Sequence, residues 1–402
     1  MRILLSSYQC LPDQGSELGN GWHWARALAD CGHEVTVLTQ PSHIIEAAAH
    51  PDIEFLHVGA PMPVVHRLSS TLGNTQHYLR WQDAALRYLE TRPLRYDVAH
   101  HVSWGSLHLG SRLWQLPTPL VYGPIGGGQT APSAYRGYFA GGWSSELLRT
   151  ALTGPLLAAN GRSRTTVRNA ALTLVTNSAT ADACLRLGAG DVRYMLAEGL
   201  PGDWLGVPRS RPNGTPTVLW VGRMMPRKAP LLALQAFAAL RRSVPARLVM
   251  AGDGPLLDRL RACVEEWGLG EEVSLPGRVP WADIKGLYDS ASVFLFTSLR
   301  DSSGSQFLES LGRGLPAVAL DHHGIGDLDV GSAAVKVALP PVPHELPGQL
   351  ADALRTVLTG PDWDERSVAG VRWAAGHVWP AKAAAASRLY EHVLRTAPRQ
   401  RA

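Results

Sequence analysis

The sequence predicts an α/β protein built from two doubly wound domains with a cleft between them. Three observations point there. Short β-rich apolar runs alternate with longer amphipathic ones, the alternation occurs twice, and a stretch rich in proline and glycine separates the two series.

Taken in order, "RILLSSY", "EVTVLT", "IEFLHVG", "DVAHHVS", "PLVYG" and "LTLVTNS" are nearly continuous in apolar residues, as strands buried on both faces must be. Between them, 17–32 and 76–91 carry helical periodicity. The stretch 199–216, "GLPGDWLGVPRSRPNGTP", holds four prolines and no sustained period, and reads as a linker. The alternation restarts with "TVLWVG", "RLVMAG", "VSLPG", "VFLFTS", "PAVAL" and "AAVKVA". Last comes "WPAKAAAASRLYEHVLRTAP" (379–398), an alanine-rich helix opened by Trp379 and Pro380. The expected domains are residues 1–200 and 201–378, followed by a helix within 379–402.

At 402 residues, 45% hydrophobic and 18% charged, the chain is long enough for two cored domains. No run approaches the ~18 apolar residues of a membrane span, and "MRILLSSYQC" reads as a first strand rather than a secretory signal. Cys10, Cys31, Cys184 and Cys263 stand far apart without ligand spacing, which suits a reducing cytoplasm and argues against structural zinc. The net charge of +4 is concentrated in 135–168, where Arg136, Arg149, Arg162, Arg164 and Arg168 face one acid, Glu146. Two readings stand open: a solvated arginine-rich helix face, or peripheral contact with an anionic membrane or a phosphate-bearing acceptor. No aromatic-basic module suggests nucleic acid.

In open parallel sheets, ligands bind beyond the carboxyl ends of strands. Four such ends carry unusual text. "DQGSELGNGW" (13–22) places Gly15, Gly19 and Gly21 at a helix entrance, where backbone can approach an anion. "DVAHHVSWGS" (97–106) ends a strand in His100 and His101, one of which must point to each side; a histidine there can bond a hydroxyl or pack in a core. "YGPIGGGQTAP" (122–132) puts Gly126, Gly127 and Gly128 straight after a strand, which suggests close contact with a substrate. "VLWVGRMMPRKAP" (218–230) places Arg223 and Lys228 on a strand-to-helix loop, one forked cation and one point charge suited to a diphosphate.

Together, "VGRMMPRK", "LVMAGDGP", "VSLPGRVPWADIKGLYDSASVFLFTS" and "RDSSGSQFLESLGRGLPAVALD" resemble the donor half of a retaining glycosyltransferase of family four, glycosyl transferases group 1, with the GT-B fold of two Rossmann-like domains. "GHEVTVLT", "DVAHHVSWGS" and "GPIGGG" resemble its acceptor half. The family signature is a glutamate, seven residues and a second glutamate; Glu309 matches the second, and the first falls on Asp301. The resemblance implies that Glu309 accepts ribose hydroxyls and that Asp301, a shorter acid than usual, faces the transferred sugar. It further implies that Ser302, Ser303, Gly304 and Ser305 offer backbone to sugar and diphosphate. Arg223 and Lys228 clamp the phosphates beside Gly222, Arg278 and Val279 flank the nucleobase, and Gly15 and Ser16 join the donor site. One of His100 and His101 contacts the donor sugar, and Gly126, Gly127 and Gly128 line the acceptor side. The last helix crosses back to the first domain.

The implied activity is transfer of a sugar, hexosyl or N-acetylhexosaminyl, from a UDP-sugar (or GDP-sugar) to an acceptor hydroxyl, with retention at the anomeric carbon. The acceptor is lipid-linked, phosphorylated, a polysaccharide or a natural product. No cofactor is required and no metal is expected, since the lone Asp327-Leu328-Asp329 lies in the wrong fold context and His322 and His323 read as loop residues. The expected setting is cytoplasmic, at most peripheral to the inner face of the membrane. Alternatives are a UDP-sugar epimerase of the same fold and an inert sugar-nucleotide-binding partner.

Overall fold

The structure, a computed structural model, describes residues 1–12, 16–42, 44–45, 50–63, 70–92, 95–139, 141–302 and 304–396, without the side chains of 16, 70, 71, 152–158 and 282. It divides into two compact units. The first comprises Met1–Gly128, Thr153–Gly199 and Trp379–Ala402; the second, Gln129–Leu152 and Leu200–Val378.

The first unit holds a parallel sheet of β1 (Arg2–Ser7), β2 (Glu34–Thr39), β3 (Ile53–His57), β4 (Val98–Ser103), β5 (Leu120–Ile125), β6 (Leu172–Val175) and β7 (Val192–Tyr194). Their order is β3-β2-β1-β4-β5-β6-β7, so the sheet reverses direction of build between β1 and β4. Around it lie α1 (Ser16–Asp30), α2 (Ser70–Glu90), the end of α3 (Trp143–Ala159), α4 (Gly161–Asn169) and α5 (Ser178–Leu187). Alternate residues of β1 enter separate cores: Ile3 and Leu5 join Trp24, Val35 and Val98, while Leu4 joins Leu38, Tyr78, Trp81 and Tyr122. Strand pleating thus sorts one apolar run into the two faces of a three-layer unit. β7 has no counterpart among the apolar runs of the sequence; it is three residues long and half to fully exposed.

The second sheet contains β8 (Thr217–Val221), β9 (Arg247–Ala251), β10 (Val273–Gly277), β11 (Val293–Phe296), β12 (Ala317–Leu320) and β13 (Ala334–Val337), in the order β10-β9-β8-β11-β12-β13. All the pairings are parallel, and the reversal falls between β8 and β11. Its helices are α6 (Pro230–Leu240), α7 (Leu257–Glu266), α8 (Trp281–Ser290), α9 (Ser305–Gly312), α10 (His323–Gly326), α11 (Leu346–Thr359) and α12 (Trp363–Ala375). α6 buries Leu232, Leu234, Phe237 and Leu240 and packs on α11, which buries Leu350, Leu354 and Val357. The final helix, α13 (Trp379–Thr396), packs on α1 in the first unit, with Ala383, Ala386 and Tyr390 buried.

Two features depart from the domain boundaries read along the chain. Residues 129–152 belong to the second unit: the Tyr135 hydroxyl donates to the Pro340 carbonyl at 2.7 Å and Tyr138 to the Gln235 side chain at 2.9 Å. The stretch read as a linker is also packed. Trp204 is buried and stacks on Trp281 at 4.6 Å, while the Arg209 N–H donates to the Ser367 hydroxyl at 3.0 Å.

Candidate functional site

In the second unit, the segments that follow the neighbouring strands β8 and β11 carry Gly222, Arg223, Lys228, Asp301, Ser302, Gly304, Ser305 and Glu309. After β8 the chain runs through Gly222, Arg223 and a short turn, Pro226–Lys228, into α6, whose first residue is Pro230. This loop is fixed by backbone. The Met224 N–H donates to the Asp253 carbonyl at 2.8 Å, and the Leu256 N–H to Met224 at 3.0 Å. Gly252 accepts this closeness because a Cβ there would stand 1.9 Å from the Gly222 oxygen. Ala229 turns the corner with φ 46, a left-handed conformation that non-glycine residues rarely take. The Thr297 hydroxyl pins that corner, bonding the Lys228 and Ala229 carbonyls at 3.0 and 3.1 Å.

Lys228 is buried and Arg223 exposed. The Lys228 ammonium pairs with Asp301 and lies 5.3 Å above the centre of the Phe296 ring. Asp301 also has Arg227 at 3.7 Å, the Ser298 hydroxyl at 3.2 Å and the Ser302 N–H at 3.0 Å. Burial alone would raise the Asp301 pKa, but Lys228 and Arg227 outweigh it and hold the carboxyl below its ordinary value. Asp301 is therefore ionised at neutral pH and engaged with cations.

Gly304 follows with φ 71 and precedes α9; a Cβ on it would meet Phe296 at 2.8 Å, so the loop closes over the ring only with glycine there. Ser305 opens α9. One turn on, the half-buried Glu309 accepts the Tyr288 hydroxyl at 2.9 Å. Burial first, and then the Glu309 carboxylate, push Tyr288 well above its ordinary pKa, so it remains a donor that orients the acid. Arg278 is exposed and Val279 half-buried, just past β10. Gly15 and Ser303 lie outside the described residues; Ser16 is described only as the first residue of α1. Asp327 and Asp329 are exposed, and no group of three or more His, Cys, Asp or Glu is placed to hold a metal among the described residues.

The first unit treats its candidates differently. His100 and His101 are 0% and 1% exposed. His100 bonds the Gly123 carbonyl through Nε2 at 2.7 Å and the Tyr390 hydroxyl through Nδ1 at 2.6 Å, which ties β4 to α13. His101 Nε2 meets the Tyr78 hydroxyl at 2.9 Å. Burial depresses His100 to about 3 and His101 to about 4, so both rings are neutral core members. All six residues of β4 are buried, the two histidines among them.

The glycine run is likewise consumed by the protein. The Gly126 N–H donates to the Gly105 carbonyl at 3.0 Å and the Gly128 N–H to the Thr180 hydroxyl at 3.1 Å; a Cβ on Gly128 would stand 2.2 Å from the Ala179 oxygen. Gly128 therefore answers a packing need, and Gly127 takes φ 130, which favours glycine.

Residues that the sequence reading passed over complete both edges. Arg227, beside Lys228, and Tyr288, on α8, act on the two acids. Glu17, at the carboxyl edge of the first sheet, accepts the Gly105 N–H at 3.1 Å, and burial raises it to about 7. Its position inside the glycine-rich stretch was the one available signal.

Several known proteins share this architecture. The D-inositol 3-phosphate glycosyltransferase of Frankia alni is 32% identical over 188 residues, 44% of this chain and 45% of that protein. The chain's matches span less than half the length of its first curated relatives. Sucrose-phosphate synthase from Thermosynechococcus elongatus superposes with a TM-score of 0.70 at 19% identity, covering 98% of this chain and 100% of that one. HepE of Anabaena, solved in complex with UDP-glucose, superposes with a TM-score of 0.61 at 14% identity, covering 97% and 100%. At such identities the likeness speaks for the fold, which is GT-B. Residues 208–368 match the family described as glycosyl transferases group 1.

Proposed function

We propose that this chain is a retaining glycosyltransferase that binds a nucleoside-diphosphate sugar, a UDP-sugar first among the candidates, on its second unit and transfers the sugar to an acceptor hydroxyl. The observation that carries this reading is the contact of Arg227 and Lys228 with Asp301, with Arg223 and Glu309 following the same two neighbouring strands, inside the segment matched to glycosyl transferases group 1. A UDP-glucose complex of a protein with the same fold supports the donor class.

Each group has a task on this reading. Glu309, oriented by Tyr288, accepts the ribose hydroxyls. Lys228 and Arg223 take the diphosphate and stabilise the charge that grows on it as the bond from the anomeric carbon to phosphate oxygen breaks. The acceptor oxygen bonds to the anomeric carbon on the same face, and its proton passes to the departing diphosphate. Asp301 faces the transferred sugar. No protein nucleophile and no metal is invoked.

The acceptor is a hydroxyl of a lipid-linked, phosphorylated or natural-product scaffold. The arginine-rich stretch gives limited support for a membrane surface: Arg149 pairs with Glu146, Arg162 lies 3.5 Å from Asp83, and Arg168 donates to the Leu187 carbonyl. No helix among the described residues is long and apolar enough to cross a membrane.

The test is calorimetry with UDP-glucose, UDP-N-acetylglucosamine and GDP-mannose, then assay of nucleoside-diphosphate release with and without an acceptor panel. Anomeric configuration of the product is read by NMR. Acceptor-dependent release with retention is expected. Absence of uptake of every sugar nucleotide would overturn the assignment, and isomerisation of the free donor would replace it with epimerase.

A further inference from the structure

The arrangement behind Asp301 carries an inference that rests on the donor-site reading and deepens it. Glu146, the single acid of the arginine-rich stretch, is 7% exposed. Its carboxylate stands 2.7 Å from Arg149 and 2.9 Å from Arg300, the residue directly before Asp301. Arg300 is in turn stitched to Arg227. Its N–H donates to the Arg227 carbonyl at 3.3 Å, its carbonyl accepts from the Arg227 guanidinium at 3.3 Å, and the neighbouring Leu299 N–H reaches the same Arg227 carbonyl at 2.9 Å. The segment bearing Glu146 has other ties to this unit, among them His323 Nε2 to the Thr130 carbonyl at 2.8 Å.

We propose that Glu146 is a positioning residue for the donor site: it holds the Arg300 guanidinium away from Asp301, reserving that carboxylate for Lys228 and Arg227. The physical case is one of competition. Without Glu146, the guanidiniums of Arg149 and Arg300 lie close together and largely out of water, and Arg227 is stitched to Arg300. Arg300 then needs another anion, and Asp301 is the adjacent one in the chain. A third cation on Asp301 would leave Lys228 paired and pull the turn 299–302 out of register with the Arg227 loop, on which Lys228 also sits. A chain excursion of the first sheet, residues 129–152, would in this way set the shape of the diphosphate receptor.

Glu146→Gln tests it, with Arg300→Gln and the pair E146Q/R300Q alongside. The probe is UDP, read by calorimetry, together with hydrogen exchange at the amides of 299–302 in the ligand-free protein. E146Q is expected to weaken UDP binding about tenfold and to speed exchange at 299–302, whereas R300Q and the double variant stay within about threefold of the parent. That non-additivity is what a merely structural role would not produce. UDP binding and exchange unchanged in E146Q would overturn the role. A double variant as weak as E146Q would do the same. Should E146Q fail to fold, R300Q alone decides: a tenfold loss there makes Arg300 a ligand contact and overturns the competition argument. Parent protein that takes up no sugar nucleotide overturns the donor reading and this role together; parent protein that binds UDP beside an equally competent E146Q overturns this role alone.

Discussion

Replacing Asp301 with asparagine separates two effects that ordinarily move together. In the ligand-free protein the Asp301 carboxylate occupies the Lys228 ammonium, and the two side chains are only 15% and 10% exposed. At an effective dielectric near 20, charges ~4 Å apart attract by ~4 kcal/mol, and stranding one partner of a buried pair costs ~3–5 kcal/mol. Asparagine keeps the shape and can still accept the Ser302 N–H, so a loss of about 2 kcal/mol is a reasonable centre, or ~4–8 °C in Tm for a unit of this size. The same change releases Lys228. A diphosphate no longer has to displace a carboxylate, and recovering ~1.4 kcal/mol of that competition tightens UDP about tenfold. For UDP-glucose the gain should be smaller, because the carboxylate proposed to face the sugar has gone. Calorimetry with UDP and UDP-glucose, beside thermal unfolding without ligand, reads all three. A variant that is less stable yet binds UDP more tightly is the expected result. UDP binding that is unchanged or weaker would refute the idea that Asp301 and the diphosphate compete for Lys228.

Three further outcomes are expected from the same geometry. Glu309→Ala should abolish measurable UDP binding while Tm stays within a few degrees of the parent; binding that survives would remove the ribose assignment. Arg223→Ala, exposed and so cheap to fold, should lower turnover by ~10²–10³ with little change in stability, as loss of other charge-stabilising groups does; a full rate would exclude it from the clamp. Lys382 is 3% exposed, donates to the Leu196 carbonyl and lies over the Trp24 and Trp379 rings. Burial, opposed by Glu198, lowers it to about 7. Its folded pKa is thus depressed: between about 7 and its ordinary value of 10.5 the unfolded chain holds a proton that the folded chain does not, so stability should rise with pH across that window. Lys382→Met should flatten the rise in Tm between pH 7 and pH 9.5, and parallel curves would contradict it.

How much of the molecule is legible in its sequence depends on how local each signal is. Each quoted β-run became a strand, most clearly those such as β4, β5, β11 and β12 that are buried throughout, whereas the three residues of β7, half to fully exposed, leave no apolar text. The two helices came out close to their expected bounds, 16–30 for 17–32 and 70–90 for 76–91, since "SSTLGN" lacks the periodicity of the residues after it. Arg223 and Lys228 stood out in the sequence as cations after a strand, and Asp301 and Glu309 through the family resemblance. Their partners did not, because Tyr288 and Arg227 reach them across 21 and 74 residues of chain. His100 and His101 stand on a strand buried on both faces, and each finds a hydrogen-bond partner within the first unit. The placement of 129–152 rests on pairings such as Tyr135 with Pro340, 205 residues apart, which no local pattern records.

The backbone passes from one unit to the other at 128–129, 152–153, 199–200 and 378–379. Neither half can therefore be inherited or expressed as one uninterrupted stretch. A recombination event that exchanged residues 200–378 for a relative's would leave the old 129–152 behind, with Glu146 and the Tyr135 hydroxyl facing foreign partners. Donor preference in such chimeras should transfer cleanly only when the short excursion travels with the larger piece.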